Sequence, residues 1–280
     1  MIKMLDTLKI LLDRFGIDLF GAVPVSSCNI VRPHKLNTLG FDNTDGLSVI
    51  IFAIPYLIEH KVRNVSAYAT PRDYHLFAKQ LFDTVLPAMR QKFAPHSFFG
   101  FADNSPISEV PAAAMAGLGI IGDNMMLITE KYSSYVFLGE IITDCPIKDA
   151  KPHEIRGCEH CGACRAACPM DKIGTCLSAL TQKKGELTEC EVEHILSYGS
   201  AWGCDICQEA CPHTKKAKKE GTIYSKIEFF NENNTPYLTS YDVLSMTDEQ
   251  FSERAYSWRG RNTILRNLLL LEQNKEGGKD

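Results

Sequence analysis

The chain has 280 residues, 45% of them hydrophobic and 23% charged, with 30 basic against 34 acidic side chains. That length suits one large domain or a domain plus a smaller module, and it can bury an ordinary core without staples. A net charge of −4 gives no global pull towards nucleic acid. No apolar run approaches the ~18 residues of a membrane helix, and the first residues alternate charge with apolar groups, unlike a secretory signal. The expectation is a cytoplasmic protein without a membrane segment. Its 11 cysteines, nine of them between Cys158 and Cys211, then read as metal ligands rather than disulfides.

Met4 to Phe15 sets Leu5, Leu8, Leu11, Leu12 and Phe15 on one helical face, and Gly16 is a suitable stop. Leu19–Val25 and Leu47–Ile54 read as strands, the second buried and ended by Pro55. Thr70-Pro71-Arg72-Asp73 is a helix start, followed by an apolar face of Tyr74, Phe77, Ala78, Leu81, Val85 and Met89. A short Ala-rich helix runs to about Ala116. Met125–Thr129 and Tyr135–Thr143 read as the two strands of a hairpin. A polar connection, Lys148–Gly157, leads into the cysteine-rich segment. Beyond Cys211, the basic run Lys215–Lys219 reads as a solvated loop, and 237–272 reads as helix. The expected class is α+β: a mixed α/β domain over 1–150, a double-cluster module over 151–221, and a helical segment over 222–280 with a frayed tail.

Cys158-x2-Cys161-x2-Cys164-x3-Cys168-Pro169 has the spacing of a bacterial ferredoxin. Three thiolates wrap one [4Fe–4S] cubane, while the fourth, before proline, serves a second cluster. Cys204-x2-Cys207-x3-Cys211-Pro212 is the reciprocal motif. By that exchange Cys158, Cys161, Cys164 and Cys211 hold one cluster. Cys204, Cys207 and Cys168 hold the other, completed by Cys176 or Cys190. Zinc is the competing reading, but it would need no crossing between motifs and gives the two Cys-Pro endings no role. Cys28 and Cys145 read as ordinary buried thiols. Two clusters imply one-electron steps, and about 150 residues ahead of them imply that something is reduced there.

The cluster segment occurs together with Arg72-Asp73-Tyr74-His75, Asp103-Asn-Ser-Pro106, Gly117-Leu-Gly-Ile-Ile-Gly-Asp-Asn124, Tyr135-Val-Phe-Leu-Gly-Glu-Ile-Ile-Thr-Asp144 and Arg266-Asn267. In that order the motifs resemble the epoxyqueuosine reductases, cobalamin-dependent two-cluster enzymes that complete queuosine in tRNA. The resemblance implies that clusters fed by a low-potential electron donor reduce cobalamin, which opens the epoxide while a carboxylic acid supplies a proton. Asp103 matches the proton donor; a carboxyl covered by a corrin stays neutral, as a general acid requires. The alternative for Asp103 is a cap on the helix starting near Pro106. Cys176-Leu-Ser178 matches an outlying cluster ligand and a corrin-contacting serine, which selects Cys176 over Cys190. Asp205 would lie beside the cofactor, and tRNA is the implied substrate, with Lys215–Lys219 as the implied contact to its phosphates, the alternative to a merely solvated loop.

Gly117-x-Gly119-x-x-Gly122 has dinucleotide-fingerprint spacing, but it follows a helix and precedes a strand, so it reads as a tight turn against the corrin with Gly119 and Asn124 as contacts. Asp73-x-His75-x-x-Ala78 nearly spells a cobalt-ligating motif of other cobalamin proteins. Its final Ala and its place at a helix start favour a cofactor or core contact for His75. Asp123 stands where the family has lysine, Ile120 and Tyr135 stand where it often has tryptophan, and the Cys168–Cys176 interval is short. The chain stops soon after Arg266-Asn267, without the helical repeats that often follow. Two other readings compete: a cobalamin-dependent reductase of another small electrophile, as in the related reductive dehalogenases, and a two-cluster electron carrier.

Overall fold

The structure, a computed structural model, describes residues 4–148, 150–171 and 174–277. The chain divides into two compact units of three segments each. One comprises Met1–Pro55, Phe77–Cys161 and His213–Ile227, the other Tyr56–Leu76, Gly162–Pro212 and Glu228–Asp280. The expected division at 150 and 221 follows the chain, whereas these units interleave along it.

In the first unit, helix α1 (Met4–Asp13) precedes strand β1 (Leu19–Pro24), helix α2 (Pro33–Thr38) and strand β2 (Ser48–Pro55). Helix α3 (Tyr74–Lys92), part of this unit from Phe77 on, strand β3 (Phe98–Phe101) and helix α4 (Glu109–Met115) follow, then strands β4 (Ile120–Ile121), β5 (Leu127–Ile128) and β6 (Val136–Thr143). The main sheet is antiparallel in the order β1-β2-β6-β3. Every residue of β2 is buried, which explains its unbroken apolar sequence: a central strand covered on both faces shows no alternation. On one face Val49, Ile51, Ala53 and Ile142 pack against Ala112, Ala113 and Ala114 of α4. On the other, Phe52 meets Phe82 of α3 edge to face, with centroids 6.2 Å apart. Gly139 makes room for that ring, since a Cβ there would lie 2.3 Å from it.

The expected hairpin of Met125–Thr129 and Tyr135–Thr143 does not form as such. β5 pairs with β4 in a separate two-stranded sheet, while β6 enters the main sheet between β2 and β3. The isolated bridge Thr129↔Ser133 marks the turn between them. The apolar runs were visible, but their partners lie far along the chain.

The second unit is helical, with α5 (Ala163–Ala167), α6 (Leu177–Thr181), α7 (Glu189–Tyr198) and α8 (Ile206–Ala210). Next comes α9 (Pro212–Glu220), which after Pro212 belongs to the first unit. The expected basic loop is thus a helix: Pro212 fits the first position, Thr214 and Ala217 are buried, and Lys215, Lys216 and Lys219 are exposed. The second unit ends with α10 (Glu228–Asn231), α11 (Ser240–Ser245), α12 (Asp248–Ser252) and α13 (Arg261–Gly277). The stretch expected as one helical region is broken by capping boxes at Thr239/Asp242 and Thr247/Gln250, each satisfying two orphan amides of a new helix. Trp202, Tyr256, Ile264 and Leu268 are the centre of its core.

The Arg266-Asn267 pair has a structural explanation. Asn267 is fully buried and its amide donates to the carbonyls of Thr181 (2.7 Å) and Ala201 (2.9 Å), while Arg266 bonds the Gly185 carbonyl. Together they pin α13 to the segments flanking the cysteines.

Candidate functional site

The two Cys-x3-Cys-Pro motifs fold alike. α5 carries Cys164 and is closed by Cys168, whose N–H donates to Arg165; α8 carries Cys207 and is closed by Cys211, whose N–H donates to Gln208. Each proline follows the closing cysteine, where it cannot continue the helix. α5 and α8 pack directly against each other in the second unit. A five-residue helix has little stability of its own, so the pairing and the core beneath it fix these cysteines. Cys168 and Cys204 pack on that core as partly buried residues.

Cys176 is the exposed N-cap of α6. Burial pushes the Cys204 thiol up to about 11; the Ile206 backbone opposes this, and the neighbouring Asp205, Cys207 and Cys176 add to it. Cys190 instead lies exposed on α7, its sulfur 3.6 Å from His194 Nε2. Cys158 and Cys161 belong to the first unit. Cys158 is tied to β4 through its N–H, which donates to Ile121 at 2.9 Å, beside a parallel bridge between Ile121 and Gly157. His160 carries a positive φ and its Nδ1 lies 2.7 Å from Asp123. Asp123, Cys158 and His160 bring their polar atoms within 4.8 Å of one another. The Asp123 carboxylate is therefore engaged by histidine. Cys28 and Cys145 are buried free thiols, both pushed up by burial, Cys28 to about 12, as expected of inert ones.

Asp205 sits between Cys204 and Cys207 as the N-cap residue of α8. Its carboxylate accepts from Ser66 Oγ at 2.5 Å and the Ala67 N–H at 2.7 Å, and it forms an ion pair with Arg63 at 3.1 Å. Gly203 has a φ of +72° and lies so close to Ser66 that a Cβ would come within 2.5 Å of its side chain. The segment 63–68 thus cradles the second cysteine motif, which spacing rules did not reveal. Tyr68 is part of it. Gln182 Nε2 reaches both the Tyr68 hydroxyl (3.4 Å) and Ser178 Oγ (3.1 Å), and burial, with Asp205, Asp73 and Cys176 nearby, raises the Tyr68 hydroxyl well above its ordinary value. Ser178, Cys176 and Asp205 therefore share one neighbourhood. His75 is half exposed, and its Nδ1 lies 2.8 Å from Asp73 Oδ1.

Asp103 and Asn104 follow β3 with φ of +59° and +48°, a region non-glycine residues rarely occupy. Asp103 is exposed, and its carboxylate accepts the Asn104 N–H at 2.8 Å. It does not cap α4, whose N-cap is Ser108, so the capping alternative falls. Arg32 donates to the Ser105 carbonyl (2.8 Å) and Lys35 to that of Asn104 (2.6 Å), holding the loop from α2.

The Gly117–Asn124 segment links α4 to β4 and β5, as its order in the sequence requires. Gly119 permits a close strand approach: a Cβ there would stand 2.3 Å from the Ile128 carbonyl oxygen. Asn124 accepts from the Met126 N–H at 3.3 Å. These two residues and Asp103 belong to the first unit; His75, Ser178 and Asp205 belong to the second.

No family model matches the chain. The epoxyqueuosine reductase of Lactococcus garvieae is 29% identical over 230 residues, 77% of this chain and 63% of the relative. That of Listeria monocytogenes is 30% identical over 244 residues, 80% of this chain and 63% of the relative. The chain thus spans less than two thirds of the length of these curated relatives. A solved epoxyqueuosine reductase, crystallised with an epoxyqueuosine-modified stem loop of tyrosine tRNA, superimposes with a TM-score of 0.74 at 22% identity, over 96% of this chain and 81% of that one. Likeness of sequence to epoxyqueuosine reductases thus runs along four-fifths of the chain, and likeness of mixed α/β fold to a solved one along nearly all of it.

Proposed function

We propose that the chain is an iron–sulfur, cobalamin-dependent reductase that converts epoxyqueuosine to queuosine in tRNA. The observation that carries the reading is the pair of matching helices α5 and α8, each bearing one cysteine and closed by another before proline. All donors are free thiols, a set suited to [4Fe–4S] clusters. Cys158, Cys161, Cys164 and Cys211 would hold one cluster; Cys168, Cys176, Cys204 and Cys207 would hold the other. The proximity of Cys176 to Cys204 favours it over Cys190. Replacing Cys176 by serine should remove about half the iron of the anaerobically purified protein, while Cys190→Ser should leave it unchanged. Equal iron in both variants would return the eighth ligand to open choice.

The polar side chains fit a corrin, whose rim of amides asks for uncharged or partly buried hydrogen-bonding groups. Ser178 and Asn124 are half-buried and uncharged, His75 is exposed and oriented by Asp73, and Gly119 offers bare backbone. Asp205 holds the second cysteine segment. Bound cobalamin, reduced through the clusters, would supply the nucleophilic electron pair that opens the epoxide. Reduction of an epoxide to an alkene consumes two electrons and two protons and releases water, so the protein must deliver protons. Asp103, exposed on a loop with two positive φ angles, would do so.

The names of the relatives and the stem loop in the solved neighbour support tRNA as substrate. The exposed lysines of α9 would meet phosphates, and each such contact adds salt dependence to binding. An unidentified low-potential donor would feed the clusters. Among the described residues no helix is long and apolar enough to cross a membrane.

The test is conversion of tRNA carrying epoxyqueuosine by anaerobic protein loaded with cobalamin and a strong reductant, read by nucleoside mass spectrometry. Roughly eight irons per chain, bound corrin and queuosine formation are expected. Clusters without any corrin binding would overturn the enzyme reading. Bound corrin with no turnover of this tRNA would overturn the substrate.

A further inference from the structure

β6 carries a carboxyl where its neighbours carry apolar groups. Glu140 points to the same face as Leu138 and Ile142, which pack in the core with α4, and it has no exposed surface. Its register partners are Ile51 on β2 and Phe101 on β3. One carboxyl oxygen bonds the Ser105 hydroxyl; the other is buried with no partner among the described residues. An acid half-satisfied in the middle of an apolar sheet face is expensive to keep, and packing alone does not account for it.

Ser105 stands two residues beyond Asp103, in the segment with consecutive positive φ. Such a backbone persists only where surrounding contacts over-determine it. Arg32 and Lys35 hold its carbonyls from α2, and Glu140 holds the Ser105 side chain from the sheet. The Ser105 hydroxyl also accepts the Ile107 N–H at 3.3 Å, so one side chain closes the turn and anchors it to β6.

We infer that Glu140 is a positioning residue that, through Ser105, locks the Asp103 loop in the conformation from which Asp103 delivers its proton. The inference rests on the reading of Asp103 as the proton donor. Burial raises Glu140 to about 8, against the opposing Ser105 bond, and Glu109 of α4 adds to it. The other titratable group facing it is the Cys28 thiol, itself raised by burial and by Glu140. Both neighbours are acids, so neither stabilises the ionised carboxylate. The lock is firmest where the acid is neutral in water as well as in place, and it weakens as pH climbs from the ordinary carboxylate range to about 8, because a released carboxyl ionises there while the held one stays neutral.

Amide hydrogen exchange of the peptide spanning residues 102–107, in anaerobic cluster-loaded protein, tests this. After correction for the intrinsic rate, wild-type exchange should rise about tenfold between pH 7 and pH 9, the linkage expected when only the closed loop holds the proton. Glu140→Gln keeps a neutral partner for Ser105 and should abolish that rise. Ser105→Ala should show fast exchange already at pH 7. In the turnover assay, the wild-type kcat should fall as pH climbs to about 8 and level off beyond it, at unchanged KM, and Glu140→Gln should lose that limb. A flat wild-type profile, or the same rise in wild type and Glu140→Gln, overturns the inference. The exchange measurement needs no substrate. A wild-type rise abolished in Glu140→Gln, in protein that does not turn over the tRNA, condemns the substrate assignment and leaves the loop lock standing.

Discussion

An Asp103→Asn variant should keep its clusters and corrin yet lose turnover by about 10²–10⁴-fold, the usual contribution of a positioned general acid. The substitution isolates proton delivery because it disturbs little else. The Asp103 carboxylate makes a local bond to the Asn104 N–H, which an amide oxygen can accept equally well. Its backbone has a φ of +59°, and asparagine tolerates that region better than most residues. The α2 ties run to the carbonyls of Asn104 and Ser105, so they survive the change. Alanine would confound the result, since a residue without a local hydrogen bond would also strain the turn. Single-turnover conversion, beside the visible spectrum of clusters and corrin, is the measurement. Unchanged turnover in Asp103→Asn would remove it from the mechanism.

Much of the first unit was legible because its signals are local. β2 announces itself as an unbroken apolar run, and α3 repeats its apolar residues every three or four positions. The cysteine motifs were legible for a different reason: their spacing is set by the geometry of one short helix and its closing residue, so the code survives without context. What failed was pairing. β5 and β6 look like hairpin partners, yet their strand partners are β4, and β2 with β3, because register is decided by faces that sequence order does not encode. The basic run at Lys215–Lys219 read as loop because charge drew attention from Thr214 and Ala217, the buried pair at helical spacing.

The candidate site shows the same split. Asp103, the cysteines and the glycine turn each carry a motif. Segment 63–68 carries none: Arg63 and Ser66 act on Asp205, and Tyr68 on Ser178 by way of Gln182, across more than a hundred residues of chain, through contacts only a fold can reveal. Glu140 stood inside a quoted motif but gained meaning only once its strand was seen in the centre of a sheet, with one oxygen tied to the loop that bears Asp103.

Arg63→Met should be the costliest of these changes for stability, at about 3–5 kcal/mol, because it strands a buried carboxylate rather than deleting a pair. Asp205 is 7% and Arg63 18% exposed in the side chain, and they meet through charge, the Nη1 nitrogen making no directed hydrogen bond. Burial already holds the Asp205 carboxyl above its ordinary range, outweighing Arg63, Ser66 and the Ala67 N–H. An acid raised on folding contributes most at low pH and loses that contribution as pH climbs from the ordinary carboxylate range towards the folded value. Removing the guanidinium raises it further and widens that window. The loss in Arg63→Met should therefore be larger at pH 8 than at pH 5, read as the shift in denaturant midpoint of anaerobic protein by far-ultraviolet circular dichroism. Equal shifts at both pH values would assign the effect to the packing of the arginine stem. Adding Asp205→Asn to Arg63→Met removes the stranded charge and should recover stability chiefly at pH 8. Because Asp205 begins the helix that carries Cys207 and ends at Cys211, the single variant should also shed iron sooner under chelator than the double one. That result would tie the ion pair to the integrity of the second cysteine motif.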